Sequence, residues 1–286
     1  MNLTLVKNAI KDPDTRQGYN TLAKATFRLD FAPWYNSGYF DGSHIPYTVF
    51  DGDKAVANIS ANVMYVEYDG KTRKYVQLGT VMTDPEYRGK GLQKFIFREI
   101  EKDFADADAI ILFANRNVLD FYPKLGFEKA MEYIFEKTVT GCGGTVKQLD
   151  MAGGADVALF KKFYDMGNPF SALSVTQGFA LEMFYLGGPY ADCVYYIPSA
   201  DAVVVAEKDG DRLTVLEILC KDADMDSVLA TVCNGETKVQ LGFTPRDTDS
   251  WNIQPLCDDD TTLFVYSKGE NIFASGRLLF PLIAHT

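Results

Sequence analysis

The chain has 286 residues, of which 47% are hydrophobic and 13% aromatic; it is longer than a usual single domain of roughly 100–200 residues and too apolar for a disordered chain. The formal net charge is −11 and is unevenly placed, since residues 1–140 carry 18 Lys and Arg against 19 Asp and Glu, while residues 141–286 carry 10 against 20. A surplus of that sign repels phosphate backbones, so nucleic acid is not an expected partner; its plainest use is solvated surface charge, and a cationic amine is the ligand it would attract.

No apolar run approaches the roughly 18–20 residues of a bilayer span, and Met1–Ile10 lacks the apolar stretch of a signal peptide. A cytoplasmic protein without a membrane partner is therefore expected. Five cysteines (Cys142, Cys193, Cys220, Cys233, Cys257) form no CxxC pair and read as buried free thiols. With His44 and His285 the only histidines, no metal centre is expected.

In chain order, residues 16–29 place Tyr19, Leu22, Ala23 and Phe27 near one face at helical spacing, and Pro33-Trp34 breaks the pattern. The runs Tyr47–Phe50, Val56–Tyr68 and Tyr75–Met82, separated by Asp51-Gly52-Asp53 and Asp69-Gly70, predict hairpin-linked strands. From Leu92, apolar residues at 92, 95, 96, 100 and 104 predict a helix ending near Asp106. Ala109–Ala114 reads as a buried strand, Val118–Tyr122 as a brief helix and Phe127–Lys137 as another strand. This order predicts a mixed α/β domain over 1–140.

Glycines at 141, 143, 144, 153 and 154 mark a linker over 141–155, followed by a second domain over 156–286. There the pattern predicts helical pieces from Asp156 to about Gly187, strands at Asp192–Ile197, Ala202–Glu207 and Arg212–Lys221, a helix at Met225–Cys233, and a strand at Thr237–Phe243. Asp209-Gly210-Asp211 falls where a hairpin needs a turn. The order repeats the first half in outline, and Leu241-Gly242-Phe243 echoes Leu125-Gly126-Phe127, which suggests a degenerate duplication.

The segment 77–127 carries the chemistry. A strand, a basic glycine turn (Arg88-Gly89-Lys90-Gly91-Leu92-Gln93) and a helix N-terminus in that order make an anion site, because backbone N–H groups and the helix dipole converge there. Gly89 and Gly91 let the backbone approach an oxygen, Arg88 and Lys90 add charge, and a diphosphate fits such a turn. Farther on, Asn115, Tyr122 and Gly126-Phe127 follow the strand Ala109–Ala114.

Together these two motifs resemble the acetyl-CoA signature of the GNAT superfamily of N-acetyltransferases, over roughly residues 45–137. The arginine, x, x, glycine, x, small-residue pattern falls on Arg88, Gly91 and Gln93, and Gln93 departs from the small residue. The resemblance implies a GNAT acyl-CoA fold, in tandem with a degenerate second lobe, and acetyl-CoA as cosubstrate. It implies that Val81 and Thr83 pair with the pantetheine arm, that a backbone N–H at Val81 or Met82 meets the oxyanion, that Asn115 contacts the cofactor, and that Tyr122 protonates the departing thiolate.

A primary amine would then attack the thioester directly, with no covalent enzyme intermediate. Glu67, Glu86 and Asp41 are candidate bases by position only. The end Leu282–Thr286 is another option, because in some two-lobed relatives that acetylate aminoglycosides a terminal carboxylate reaches the active site; a frayed tail is the expectation here. Trp34, Tyr35, Tyr39 and Phe40 either cover the amine or pack in the core. After Ile218 the sequence Leu219-Cys220-Lys221-Asp222-Ala223 has no glycine turn, so no second cofactor is expected, although the acidity of that half could shape an acceptor cleft between the lobes. A sensor or scaffold that binds acetyl-CoA without catalysis is the alternative. The acceptor and the oligomeric state are open.

Overall fold

The computed structural model describes residues 2–258 and 260–286. The first half contains β1 (Leu3–Lys7), α1 (Pro13–Phe27), α2 (Ala32–Asn36), β2 (His44–Asp51), β3 (Lys54–Tyr68), β4 (Lys71–Thr83), α3 (Leu92–Asp103), β5 (Ala109–Ala114), β6 (Glu128–Lys129) and β7 (Tyr133–Thr138). Then come β8 (Lys147–Gln148), α4 (Gly154–Tyr164), β9 (Leu173–Thr176), α5 (Phe179–Leu186), β10 (Val194–Ile197), β11 (Ala202–Asp209), β12 (Arg212–Cys220), α6 (Met225–Val232), β13 (Lys238–Leu241), β14 (Asn252–Pro255) and β15 (Thr262–Ser267). Among the described residues no helix is long and apolar enough to cross a membrane.

Two mixed sheets result. The first has the order β1-β2-β3-β4-β5-β15-β6, with β9 also pairing β3; the second has the order β14-β7-β13-β12-β11-β10-β8. In each sheet a hairpin series leads to one parallel pair joined through a helix: β4 with β5 across α3, and β12 with β13 across α6. This helical crossover is what a parallel pair requires, and it is the element the two halves share. The faces of α3 and α6 that pack on the sheets bury Ile96, Phe97 and Ile100 in one lobe and Val228, Leu229 and Val232 in the other, each contributing about 2 kcal/mol by area.

The mixed α/β architecture agrees with the sequence expectation, and most elements fall where the pattern put them. The differences are local and have physical causes. The brief helix expected at Val118–Tyr122 is a run of tight turns ending in a 3-10 turn, Tyr122–Leu125. The Asn115 side chain accepts from Asn117 N, Val118 N bonds Asn115 O, and Pro123 has no N–H to continue an α-helical ladder. Within the stretch expected to be helical to about Gly187, β9 adds to the edge of β3, pairing Leu173 with Tyr68.

The single strand expected at Phe127–Lys137 is two strands in two sheets. Ala130 N still bonds Leu263 O of the first sheet, whereas Tyr133 N bonds Leu278 O as the chain passes into the second. In exchange β15, from the C-terminal half, pairs Thr262–Ser267 with Ala114–Ala109 of β5, so the lobes trade strands. A single cut at 141–155 therefore does not divide the sheets, and that segment itself holds β8 and the start of α4.

The Leu-Gly-Phe echo is not an equivalence. Leu241 ends β13, the counterpart of β5, while Leu125 closes the 3-10 turn; the repeat resides in the order of strands and helix instead. All five cysteines are free, but Cys142 and Cys257 are exposed rather than buried.

Candidate active site

β4 and β5 run side by side only from Tyr75 and Ala109 to Leu78 and Leu112. Beyond Leu78, β4 continues to Thr83 with no strand paired on that side among the described residues. Its other edge stays bonded to β3, with a register shift between Asn58 and Ser60 opposite Gly79–Met82. A bulge at that point bends the strand away from its neighbour. Thr80 sits at the bend with φ of +43°, a left-handed conformation that costs a β-branched residue energy and must be held by its surroundings.

The holding groups are buried and polar. Asn58 Nδ2 donates to Thr80 O at 2.9 Å, and Ser60 Oγ lies 2.5 Å from Thr80 Oγ1. Tyr19 OH is 3.4 Å from Thr80 Oγ1 and 2.9 Å from His44 Nε2, and His44 Nδ1 meets Asn62 Oδ1 at 2.7 Å. Because Asn62 Nδ2 donates to Gln77 O and Thr286 Oγ1, its Oδ1 must accept, which puts the proton on His44 Nδ1 and lets Tyr19 donate to Nε2. Burial lowers the His44 pKa to about 4, so the ring is neutral at neutral pH. Sequence reading missed this network. The only signal available was alternation, since Asn58, Ser60 and Asn62 fall on one face of an otherwise apolar strand.

The fork between β4 and β5 opens a cleft of about 870 Å³. Val81, Thr83, Arg88, Gln93, Asn115 and Tyr122 all border it. Met82 does not; it is buried on the opposite side, among Tyr19, Trp34 and Phe50. Gly89, Lys90, Gly91 and Leu92 are not in the cleft lining either, and Leu92 packs in the core; next to Arg88, which does border the cleft, Gly89 and Gly91 have φ of +72° and +76°, and a Cβ added to either would meet nothing within 4 Å. Gly91 is the N-cap of α3, starting it at Leu92 with no side chain in the cap. The first N–H groups of the helix thus have no side chain capping them, an arrangement that suits an anion. Arg88 Nε reaches Thr83 O at 3.4 Å, and Lys90 Nζ lies 4.4 Å from the centre of the Tyr87 ring.

Gln93, where the pattern calls for a small residue, turns its amide back on the strand. Its Nε2 donates to Met82 O at 2.5 Å and Thr83 Oγ1 at 2.7 Å. The side chain therefore braces β4 from the first turn of α3. Across the fork, Asn115 spends its Oδ1 on Asn117 N at 3.1 Å. Tyr122 packs among Phe121, Phe127 and Phe264, and its hydroxyl has no hydrogen-bond partner among the described residues. Burial raises its pKa to about 12, so it is a protonated donor at neutral pH.

The end of the chain is not frayed. Leu282 N bonds Gly242 O, Tyr185 OH donates to His285 O at 2.6 Å, and Gln77 Nε2 donates to Ala284 O at 2.9 Å. Thr286 N and Oγ1 both donate to Gln77 Oε1, and Thr286 borders the cleft beside Gly79. A Cβ on Gly79 would come within 2.9 Å of Thr286 Oγ1, so only glycine allows this approach. The tail expectation failed because Gln77, buried in a strand, needs partners that the tail backbone supplies.

The other candidate bases lie outside the cleft: Glu67 and Asp41 are exposed, and Glu86 extends from Pro85–Tyr87 toward Lys54. Trp34 packs in the core, donating Nε1–H to Ala180 O at 2.8 Å and meeting Phe184 edge-on. The acidic residues of the second half likewise do not line this cleft; Asp150 and Asp192 border a separate one beside Tyr39.

Residues 10–127 match the family model of the acetyltransferase (GNAT) family. The matched stretch contains β4, the glycine turn, α3 and Tyr122. A protein of Enterococcus faecalis V583 described as a probable N-acyltransferase shares the fold at a TM-score of 0.60 and 14% identity, over 93% of this chain and 72% of that one. A GCN5-related N-acetyltransferase of Kribbella flavida does so at 0.55 and 16%, over the same shares. The chloroplastic GCN5-related N-acetyltransferase 2 of Arabidopsis thaliana is 43% identical over 56 residues, a stretch that spans 19% of this chain and 22% of that protein.

Proposed function

We propose that this chain transfers an acetyl group from acetyl-CoA to a primary amine within the cleft of the first lobe. The observation that carries the reading is a single cleft bordered by an unpaired stretch of β4, by Arg88 and Gln93 on either side of a left-handed glycine turn that starts α3, and by a buried phenol with no hydrogen-bond partner among the described residues. The diphosphate sits at Gly89–Gly91 with Arg88 and Lys90 beside it, and the pantetheine arm lies along Val81 and Thr83 as an added strand. Asn115 lines the opposite wall.

The bulge at Thr80 turns the backbone so that the N–H of Val81 serves the thioester oxygen. We assign the oxyanion contact to Val81 rather than Met82 because Met82 lies outside the cleft. The amine nitrogen attacks the thioester carbon, the C–S bond breaks, and the thiolate takes the Tyr122 proton. Water accepts the surplus proton of the nitrogen and restores the phenol, so the products are the amide and free CoA.

Calorimetric titration with acetyl-CoA, followed by a free-CoA release assay with an amine panel, tests the reading. Binding followed by turnover is the expected result. Tight binding without turnover on any amine would instead favour a sensor, and no binding would overturn the cofactor assignment.

A further inference from the structure

We infer that Glu182 and Glu217 form a pH-sensitive latch on α5: a proton shared between their carboxyl groups holds the helix against β12, and its loss frees the helix together with the chain end that it holds at the cleft. The inference goes beyond the acetyltransferase reading and does not depend on it.

Glu182 lies in α5 and Glu217 in β12, two elements that bury Met183, Leu186, Leu216 and Leu219 in one apolar cluster. Glu182 is only 5% exposed. Both of its carboxyl oxygens and Glu217 Oε2 are buried and find no N–H or O–H donor among the described residues, while the two carboxyl groups lie within hydrogen-bond reach of each other. Two carboxylates cannot both keep their charge in such a place, and a proton between their oxygens supplies the missing donor and removes one charge. Burial holds Glu182 well above the ordinary carboxylate range, with the Glu217 charge adding to it, and burial raises Glu217 as well. Nothing nearby relieves the pair. Tyr164 of α4 is the other titratable group that senses both carboxyls, and burial keeps it protonated. Lys161 of α4 reaches the Phe179 ring, but its charge is paired with Asp165. Opposite Glu217, β11 presents Val205, and on the α2 side Phe184 meets the rings of Phe31 and Trp34. In the tail, burial lowers the His285 pKa to about 4, so that ring is neutral. No Lys or Arg among the described residues offsets a charge on the pair.

The helix is placed to pass the change on. It is short, Phe179–Leu186, with Gly178 at its start and Gly187 at its end. Ala180 O accepts the indole N–H of Trp34 at 2.8 Å, and Tyr185 OH donates to His285 O at 2.6 Å, one residue before Thr286 at the cleft. In the unfolded chain both glutamates ionise near the ordinary 4.5, whereas the folded pair still binds a proton above that pH. The contribution of the pair to stability therefore falls as pH rises. When the last proton leaves, two like charges face each other in apolar surroundings, and α5 gives way before the sheets do because it is the smaller element.

Trp34 reports on the helix through its bond to Ala180 O, and Trp251→Phe removes the other tryptophan from every protein compared. Acrylamide quenching of Trp34 and amide hydrogen exchange, corrected for intrinsic rates, are measured from about pH 6.5 to 9.5 on the full chain and on Glu182→Gln, whose amide donates to Glu217 without a shared proton. Glu217→Gln is the second variant, so that one of the two suffices if the other does not fold. With rising pH, quenching of the parent is expected to increase about twofold or more and the α5 amides to exchange about tenfold faster, while α3 and α6 stay protected and the Gln variants stay unchanged. An equal response in parent and variants, no response in the parent, or loss of protection in α3, α5 and α6 together overturns the latch. None of these readouts requires acetyl transfer, so the latch and the proposed function fail separately.

Discussion

The two lobes share a parallel pair joined by a helix, yet only the first pair opens into a cleft bordered by an unpaired strand edge. In the first lobe, β4 outruns its pairing at Leu78 and bends at Thr80, and α3 begins behind Gly91 with an empty cap. In the second, β12 outruns its pairing at Val215, but the chain fills the fork itself. Gly242 packs on Leu216 and bonds Val215 O, Leu282 bonds Gly242 O, and Ile283 is buried among Leu216 and Leu219. The N-terminus of α6 is closed as well, since Asp224 caps it by accepting from Ser227 N at 2.8 Å. A carboxylate there satisfies the helix dipole and repels a phosphate. One tail thus seals one fork at Leu282 and borders the other at Thr286. The fold supplies a fork in both lobes, and a few side chains decide whether it can take a ligand.

Removing the proposed acid from the open fork is expected to have the largest effect. Tyr122→Phe lowers kcat by about 10²–10⁴-fold while leaving the acetyl-CoA Kd within about twofold, because the ring still packs and only the proton donor is lost. Calorimetry with single-turnover kinetics separates the two, and an unchanged kcat would remove Tyr122 from the mechanism. Next, Gly91→Asp puts a carboxylate at the start of α3 as Asp224 does at α6, here on a left-handed backbone, at a strain of about 1–2 kcal/mol. The carboxylate is expected to raise the acetyl-CoA Kd by about tenfold or more, and by more than Gly91→Asn, which carries the same strain without the charge. If the affinity holds, the diphosphate does not sit at this turn.

His44→Gln probes the network behind the bent strand, which has no counterpart in the second lobe among the described polar contacts. Stability is expected to fall by about 1–3 kcal/mol, and kcat to fall more than acetyl-CoA affinity, since Thr80 loses support. The wild-type protein also has a pH signature here. The folded pKa of His44 is about 4 against an ordinary 6.5, so between those values the unfolded chain binds more protons and stability falls as pH drops. Denaturant unfolding of the variant from pH 6.5 to 4 should show a shallower slope than wild type.

The smallest expected effect lies where the lobes exchange strands. Glu132 is buried at the crossing with its Oε1 accepting Phe280 N, and burial raises its pKa to about 8. An acid raised in the folded state binds a proton that the unfolded chain has lost, so its contribution falls as pH rises from about 4.5 to 8. Glu132→Gln keeps the acceptor oxygen and should flatten that part of the unfolding profile. An unchanged profile would mean that Glu132 is not held neutral.

Local patterns were legible because they follow from periodicity and turn chemistry. Alternation located β3 and β4, helical spacing located α3, and Asp209-Gly210-Asp211 joined β11 to β12 through a glycine at φ +58°. The glycine turn could be named beforehand because an anion site needs small residues, charge and a helix N-terminus in order, whereas Val81, Thr83 and Tyr122 are named only through the resemblance of the two motifs to the GNAT signature. Other features were not legible, because they depend on partners far away in sequence. Whether Gln77 holds a tail residue 209 positions on, whether Glu132 turns the chain into another sheet, and whether Leu282 or a ligand fills a fork are decided by what packs nearby. The sequence by itself determined most of the elements and the glycine turn ahead of α3. Only the tertiary structure decided that the lobes trade β7 for β15, that Trp34 belongs to the core, and that the second half reaches the cleft through Thr286 and not through a described Asp or Glu side chain. Each of these is a choice among buried contacts, and contact energy between distant residues leaves no period in the chain.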